Sequence, residues 1–275
     1  MRTQAEKGSA FRGLHEQNSA FVIPNPWDIG TARMLAGLGF DALATTSAGY
    51  AHSVGQRDQT VGRERMMAHV AEIVMATDLP VSADLENGFG DDPATVAETI
   101  RLAGNAGLVG ASIEDSTRGR EERVYDRELG AERVRAAAEM ARSLPFSFML
   151  TARAENYIVG RPDLKDTIRR LQAYQEAGAD VLYAPGLTSE VDIATVVSSV
   201  DRPVNVLMGF PGAVLSHAEL SKIGVKRISI GSALSRVAID AFVRAALEIR
   251  DKGTFSFGEN AISSRDIVAL FKGAT

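Results

Sequence analysis

What most constrains this chain is a unit repeated eight times: a short apolar run of four or five residues, then a segment with helical spacing. The runs are 19–23, 41–45, Val81 onward, 109–113, 146–150, 181–184, 203–207 and 227–230. None shows the alternation of apolar and polar residues that marks a sheet with one wet face. Strands buried on both sides lose that alternation, and parallel neighbours need helical crossovers. The expected helices are 29–38, 63–76, 93–106, 130–143, 164–177, 191–199, 217–222 and 233–252. Eight such units in 275 residues predict an α/β fold, a single (β/α)8 TIM-type barrel over 1–275. A doubly wound open sheet is the alternative. No Gly-x-Gly-x-x-Gly follows the first run, which weakens any dinucleotide reading. Residues 253–275 continue past the eighth unit with one more amphipathic helix, 263–272. It needs something to pack against, and a neighbouring subunit is the expected support.

The third run leads straight into Asp84-Leu-Glu86-Asn-Gly-Phe-Gly90. Residues two apart on a strand share a face, so Asp84 and Glu86 are expected at the carboxyl end of one strand, where barrels keep their chemistry. The fourth run ends the same way, in Glu114 and Asp115. An acidic residue after a strand can equally be a helix cap or a solvated loop end; two consecutive strands ending so favour a shared site. All-oxygen ligands of this kind suit Mg2+ or Mn2+ rather than zinc.

Composition narrows the partners. A formal net charge of −5 with acids and bases interspersed argues against a nucleic-acid or membrane-binding surface, leaving small molecules. The absence of cysteine removes disulfides, thiolate metal sites and cysteine nucleophiles together. The first residues lack an apolar signal core and no apolar run would cross a bilayer, so a cytoplasmic protein is expected.

Six segments carry a resemblance: 24–28 (Pro-Asn-Pro-Trp-Asp), 45–49 (Thr-Thr-Ser-Ala-Gly), 55–58 (Gly-Gln-Arg-Asp), 84–90, 112–115 (Ser-Ile-Glu-Asp) and 151–155 (Thr-Ala-Arg-Ala-Glu). In this order and spacing, over about Phe21 to Ile249, the chain resembles the isocitrate lyase/phosphoenolpyruvate mutase superfamily. The resemblance implies a Mg2+-dependent barrel acting on small 2-oxo acids, as a homo-oligomer, dimer or tetramer, in which the terminal helix packs on a neighbour. It implies that Asp84 ligates the ion, with Asp58, Glu86 and Glu114 holding it mainly through waters. Arg153 would grip the substrate carboxylate, in a two-bonded pairing that suits a guanidinium fork. Ser47, Ala48 and Gly49 would supply hydroxyl and backbone donors. Catalytic roles then fall to Arg153, Ser47, Asp58 and Glu114, and Trp27 is a candidate wall of the substrate site.

The departures matter too. Isocitrate and methylisocitrate lyases carry Lys-Lys-Cys-Gly-His on the loop after the fourth strand as their general acid; here 118–123 is Arg-Gly-Arg-Glu-Glu-Arg. Those two activities are disfavoured. The leading expectation is a lyase or decarboxylase for an oxaloacetate-like 2-oxo dicarboxylate. A phosphonopyruvate hydrolase or mutase, and a non-catalytic 2-oxo-acid binding protein, stay open. The polar loop 116–126, with Arg118, Arg120 and Arg123, is expected to be a mobile lid. Residues 229–232 could cradle a phosphate. His52 and His217 lie near strand-end loops, and Tyr50 is one potential proton source. Lys226 sits at the entering end of its strand, which disfavours a Schiff-base aldolase.

Overall fold

A computed structural model of the chain describes residues 2–117 and 123–271. After α1 (Gln4–His15) come β1 (Phe21–Ile23), α2 (Ile29–Gly37), β2 (Leu43–Ala44), α3 (Ser47–Ser53), α4 (Arg63–Ala76), β3 (Val81–Asp84) and α5 (Pro93–Asn105). There follow β4 (Gly110–Glu114), α6 (Arg127–Ser143), β5 (Met149–Arg153), α7 (Leu164–Glu176), β6 (Val181–Tyr183) and α8 (Glu190–Ser198). The last elements are β7 (Val204–Leu207), α9 (His217–Lys222), β8 (Arg227–Ser229), α10 (Ala233–Lys252) and α11 (Ser264–Phe271). The strands are parallel in the order β1-β8-β7-β6-β5-β4-β3-β2. The Ala44 N–H donates to the Pro24 carbonyl at 3.1 Å and Asn25 Nδ2 to the Thr45 carbonyl at 3.0 Å, drawing β2 against the end of β1. The result is a nearly closed (β/α)8 barrel, as the repeat predicts, and not an open sheet.

Local chemistry starts the helices where the sequence places them. Asp28 accepts from the Thr31 N–H at 2.7 Å at the start of α2, and Asp92 caps α5 ahead of Pro93. Two elements depart from expectation. Residues 47–53, for which the repeat predicts no helix, form α3, capped by Thr46 accepting from the Gly49 N–H at 3.2 Å. β5 begins three residues later than its apolar run, because residues 146–148 lie under α1; a side chain at Gly8 would strike the Ser147 carbonyl. The shift puts Arg153 inside the strand, opposite Glu114.

The main core fills the space between strands and helices, with Ile73, Ile100, Leu150 and Leu171 fully buried. A second cluster of Phe11, Phe21, Ile23, Ala42, Val109, Met149 and Val181 closes the barrel floor under α1. His15 packs edge-on to Phe11 and Phe21, both with centroids 4.9 Å away, and its Nδ1–H donates to the Phe11 carbonyl.

The C-terminal helix is expected to pack on a neighbouring subunit; within the chain it meets α2. α11 has a support in its own chain: it lies on α2 so closely that a side chain at Gly37 would overlap the Leu270 carbonyl. α10 carries a row of exposed apolar residues, Val237, Phe242, Val243, Leu247 and Ile249. No described helix is long and apolar enough to cross a membrane.

Candidate active site

The strands converge on a cavity of about 300 Å³ at their carboxyl ends. Arg153, the last residue of β5, stands at its centre with its fork fully engaged. Nη1 lies 3.0 Å from Asp84 Oδ1, Nη2 3.1 Å from Glu114 Oε2 and Nε 2.9 Å from Glu155 Oε1. Its guanidinium carbon is 5.2 Å from the centre of the Tyr183 ring. Asp84 is fixed from the other side: Oδ2 accepts from Ser47 Oγ at 2.8 Å and from the Ser47 N–H at 3.3 Å, while the Asp84 N–H donates to Thr45 Oγ1. Glu114 Oε1 accepts from Ser116 Oγ at 2.6 Å and Gln59 Nε2 at 3.0 Å.

Glu86 reaches the cavity by a route that strand alternation does not describe. β3 ends at Asp84, and Glu86 lies in the turn beyond it with φ of 51°, followed by Gly88 at 78° and Phe89 at 63°. Two non-glycine residues in the left-handed region within four positions mark a strained turn, of the sort that persists where the surroundings hold it. Asp84 Oδ1 helps, accepting from the Glu86 N–H at 3.3 Å.

Five carboxylates line the cavity, Asp58, Asp84, Glu86, Glu114 and Glu155, against two guanidiniums, Arg153 and Arg227. Burial raises the Asp58 carboxyl, and the charge of Asp84 adds to it. Burial likewise raises Glu114, with Arg153 pulling the other way, and pushes Glu155 up to about 8 against the same pull. Burial works against the charge of Arg153, but Glu155, Glu114 and Asp84 more than offset it. Excess negative charge carried on hard oxygen donors fits a hydrated divalent cation. Among the described residues no three such groups converge closely enough to enclose an ion directly.

A buried network stands behind the strand ends. Asp115 Oδ1 accepts from the Glu155 N–H at 2.8 Å, and its Oδ2 accepts from Tyr174 Oη at 2.6 Å and Arg170 Nη1 at 3.0 Å. Arg170 also donates to the Tyr125 carbonyl at 2.7 Å, and the Tyr125 N–H donates to the Asp115 carbonyl at 2.9 Å. The same tyrosine donates to Asp91 Oδ1 at 2.6 Å, tying the end of the 116–126 loop to the acidic turn.

Of the residues singled out from sequence, Ser47, Ala48, Asp58, Asp84, Glu86, Glu114 and Arg153 all line the cavity. Gly49 and Trp27 do not; they pack against one another behind α3, where a side chain at Gly49 would meet Thr46 at 2.5 Å and Trp27 at 3.2 Å. Tyr50 is stacked on His69 with centroids 3.7 Å apart and is likewise absent from the lining. His217 Nε2–H donates to the Ala20 carbonyl at 2.8 Å, and Lys226 Nζ donates to the Gln17 carbonyl at 2.7 Å at the floor end. Ser229, Gly231 and Ser232 do reach the cavity. The base of the proposed lid is pinned: Ser116 bridges Val124, and Arg123 donates to the Val159 carbonyl at 3.0 Å instead of facing the cavity. Arg118 and Arg120 fall in 118–122, outside the described residues. Sequence reading missed Gln59, Tyr183, Asn205 and Arg227 as lining residues. Tyr183 and Asn205 are strand residues flanked by apolar neighbours, where an isolated polar side chain was the available signal; Arg227 follows Lys226 at the start of its strand and carried no such mark.

The phosphoenolpyruvate phosphomutase family model matches residues 11–250. The chain belongs to that family. A crystal structure from Burkholderia cenocepacia J2315, named only as a lyase/mutase, superposes with a TM-score of 0.95 at 58% identity, covering 98% of this chain and 96% of the other. An uncharacterised protein of Mycobacterium tuberculosis H37Rv is 30% identical over 88% of this chain and 89% of its own length. The 2,3-dimethylmalate lyase of Eubacterium barkeri is 29% identical over 84% and 82%. The phosphomutase family thus includes lyases as well as mutases, and this member keeps an acidic, arginine-centred cavity at the strand ends.

Proposed function

We propose that the chain is a Mg2+- or Mn2+-dependent carbon–carbon lyase or decarboxylase acting on a small, oxaloacetate-like 2-oxo dicarboxylate. The observation that carries this reading is the Ser47–Asp84–Arg153 constellation: a hydroxyl and an N–H on one side of a carboxylate, a guanidinium on the other, inside one cavity. Asp84 is the candidate direct ligand of the ion, with Asp58, Glu86 and Glu114 holding its waters. When bound, the ion supplies a Lewis acid for the negative charge that develops on the 2-oxo oxygen as the bond beyond C3 breaks. Ser47 Oγ and the backbone donors at Ser47 and Ala48 orient the substrate carboxylate. Arg153 would pair with the substrate carboxylate through its planar fork. The likeness to a dimethylmalate lyase supports carbon–carbon cleavage. The absence of cysteine, and hence of the loop Cys-His acid, argues against isocitrate and methylisocitrate as substrates.

Calorimetry with oxalate, with and without Mg2+, joined to coupled assays on oxaloacetate and phosphonopyruvate, tests the reading. Mg2+-dependent oxalate binding and oxaloacetate turnover are expected. Turnover of phosphonopyruvate alone would assign the chain to phosphorus–carbon chemistry, and tight oxalate binding without any turnover would make it a 2-oxo-acid binding protein.

A further inference from the structure

The turn that delivers Glu86 to the cavity is held from outside its own sequence. Glu86, Gly88 and Phe89 sit at positive φ, and left-handed backbone at non-glycine residues persists only where the surroundings over-determine it. Some of that support is close at hand. The Gly88 N–H donates to the Leu85 carbonyl at 2.9 Å and the Phe89 N–H to Asn87 Oδ1 at 3.1 Å, while Thr99 Oγ1 of α5 donates to the Gly88 carbonyl at 2.8 Å.

The rest comes from α6. Arg133, 1% exposed, reaches three carbonyls of the turn: Nη1 donates to Gly90 at 2.6 Å and to Asp91, and Nη2 donates to Asn87. Its guanidinium carbon lies 4.2 Å from the centre of the Tyr125 ring. The Tyr125 hydroxyl then engages two side chains of the same stretch, accepting from Asn87 Nδ2 at 3.0 Å and donating to Asp91 Oδ1 at 2.6 Å. Arg133 does not line the cavity, so its part there is indirect. Burying a guanidinium costs hydration that an apolar residue would keep out of the balance. What the arginine adds is geometry, because a planar fork on three converging carbonyls admits one backbone conformation, whereas the point charge of a lysine could follow several.

We infer that Arg133, with Tyr125 stacked on it, is a positioning residue for the cavity: by gripping the carbonyls of Asn87, Gly90 and Asp91 it keeps the turn in the left-handed form that presents Glu86 to the divalent cation. This rests on the reading of Glu86 as part of the metal site. The two side chains come from the segment that follows the 116–126 loop, so the same residues that root that loop also set the shape of the acidic turn.

The test uses Mn2+ alone, its binding read by electron paramagnetic resonance, together with amide hydrogen exchange at residues 86–91. The proteins are wild type, Arg133→Lys, Tyr125→Phe and a control, Arg142→Met, at the other end of α6, where Arg142 donates to the Gly178 carbonyl at 3.2 Å. Arg133→Lys should weaken Mn2+ about tenfold, as losses of groups that orient metal ligands do, and should speed exchange across the turn. Tyr125→Phe removes a single hydroxyl and should weaken Mn2+ a few-fold, which keeps the test open if the arginine variant does not fold. Arg142→Met should bind Mn2+ as wild type does even where it melts lower. Mn2+ affinity unchanged in both Arg133→Lys and Tyr125→Phe would overturn the proposal. So would a weakening no larger than that of Arg142→Met, which would make the arginine a support of the fold alone. A wild type that binds no Mn2+ sinks the metal reading instead; the clamp is then judged on exchange, which supports it if residues 86–91 exchange faster in Arg133→Lys than in Arg142→Met and overturns it if they do not.

Discussion

Tyr174→Phe removes one oxygen atom from the network that supports the cavity, and the structure sets its cost. The ring is fully buried on α7, and Oη donates to Asp115 Oδ2 at 2.6 Å. Hydrogen bonds to charged groups contribute about 1.5–3 kcal/mol. Asp115 keeps Arg170 and the Glu155 N–H, so the lower part of that range, about 1.5–2 kcal/mol, is expected. The void is small, since the hydroxyl sits where a side chain at Gly130 would come within 2.7 Å. For a chain of this size each kcal/mol moves the melting temperature by about 2–4 °C, so Tyr174→Phe should melt about 3–8 °C lower. The loss should also reach the ligand. Asp115 holds the Glu155 N–H, and the Glu155 carboxylate holds Arg153 Nε. Oxalate affinity should fall a few-fold, and the double variant with Asp115→Asn should be less destabilised than the two single variants predict. Differential scanning calorimetry with a double-mutant cycle reads both effects. A melting temperature within a degree of wild type, with strict additivity, would refute the claim that this network supports Arg153.

Asp84→Ala should abolish Mg2+-dependent oxalate binding and leave the circular dichroism spectrum intact; affinity unchanged by both this substitution and EDTA would remove Asp84 from the metal site. The exposed apolar face of α10 is proposed to be covered by a second copy of the chain, so Phe242→Asp with Val243→Asp should give smaller particles on sedimentation. An unchanged sedimentation coefficient would refute that. The folded state keeps His69 neutral, burial lowering it to about 4, so the unfolded chain binds the extra proton from pH 6.5 downward and stability drains as pH falls toward 4. Between pH 7.5 and 5 the His69→Leu variant should therefore lose about 2 kcal/mol less in urea unfolding than wild type; equal losses would show that His69 titrates freely.

Much of this protein is legible in its sequence alone, because the signals are local. Asp28 and Asp92 cap their helices through residues three positions away, and buried parallel strands announce themselves by continuous apolar runs. The chemistry-bearing residues at strand ends stand out for the same reason: Asp84, Glu114 and Arg153 follow directly from their runs, and a barrel brings strand ends together wherever they lie in the chain. Directions and partners, by contrast, are decided by the tertiary structure. Whether β5 pairs from Phe146 or Met149 depends on α1 lying across residues 146–148, so the strand position of Arg153 is set by a helix more than 130 residues away. Gly49 turns from the cavity because residues 47–53 coil into a helix, and it packs there against Thr46 and Trp27. α11 meets α2 because Gly37 leaves room for its backbone. Asn205 and Arg227 stand in two separate strands, and only the β7–β8 register sets them side by side over the floor. Side-chain chemistry is written residue by residue, but which side chains face one another is a property of strand register and barrel closure, and only long-range packing decides those.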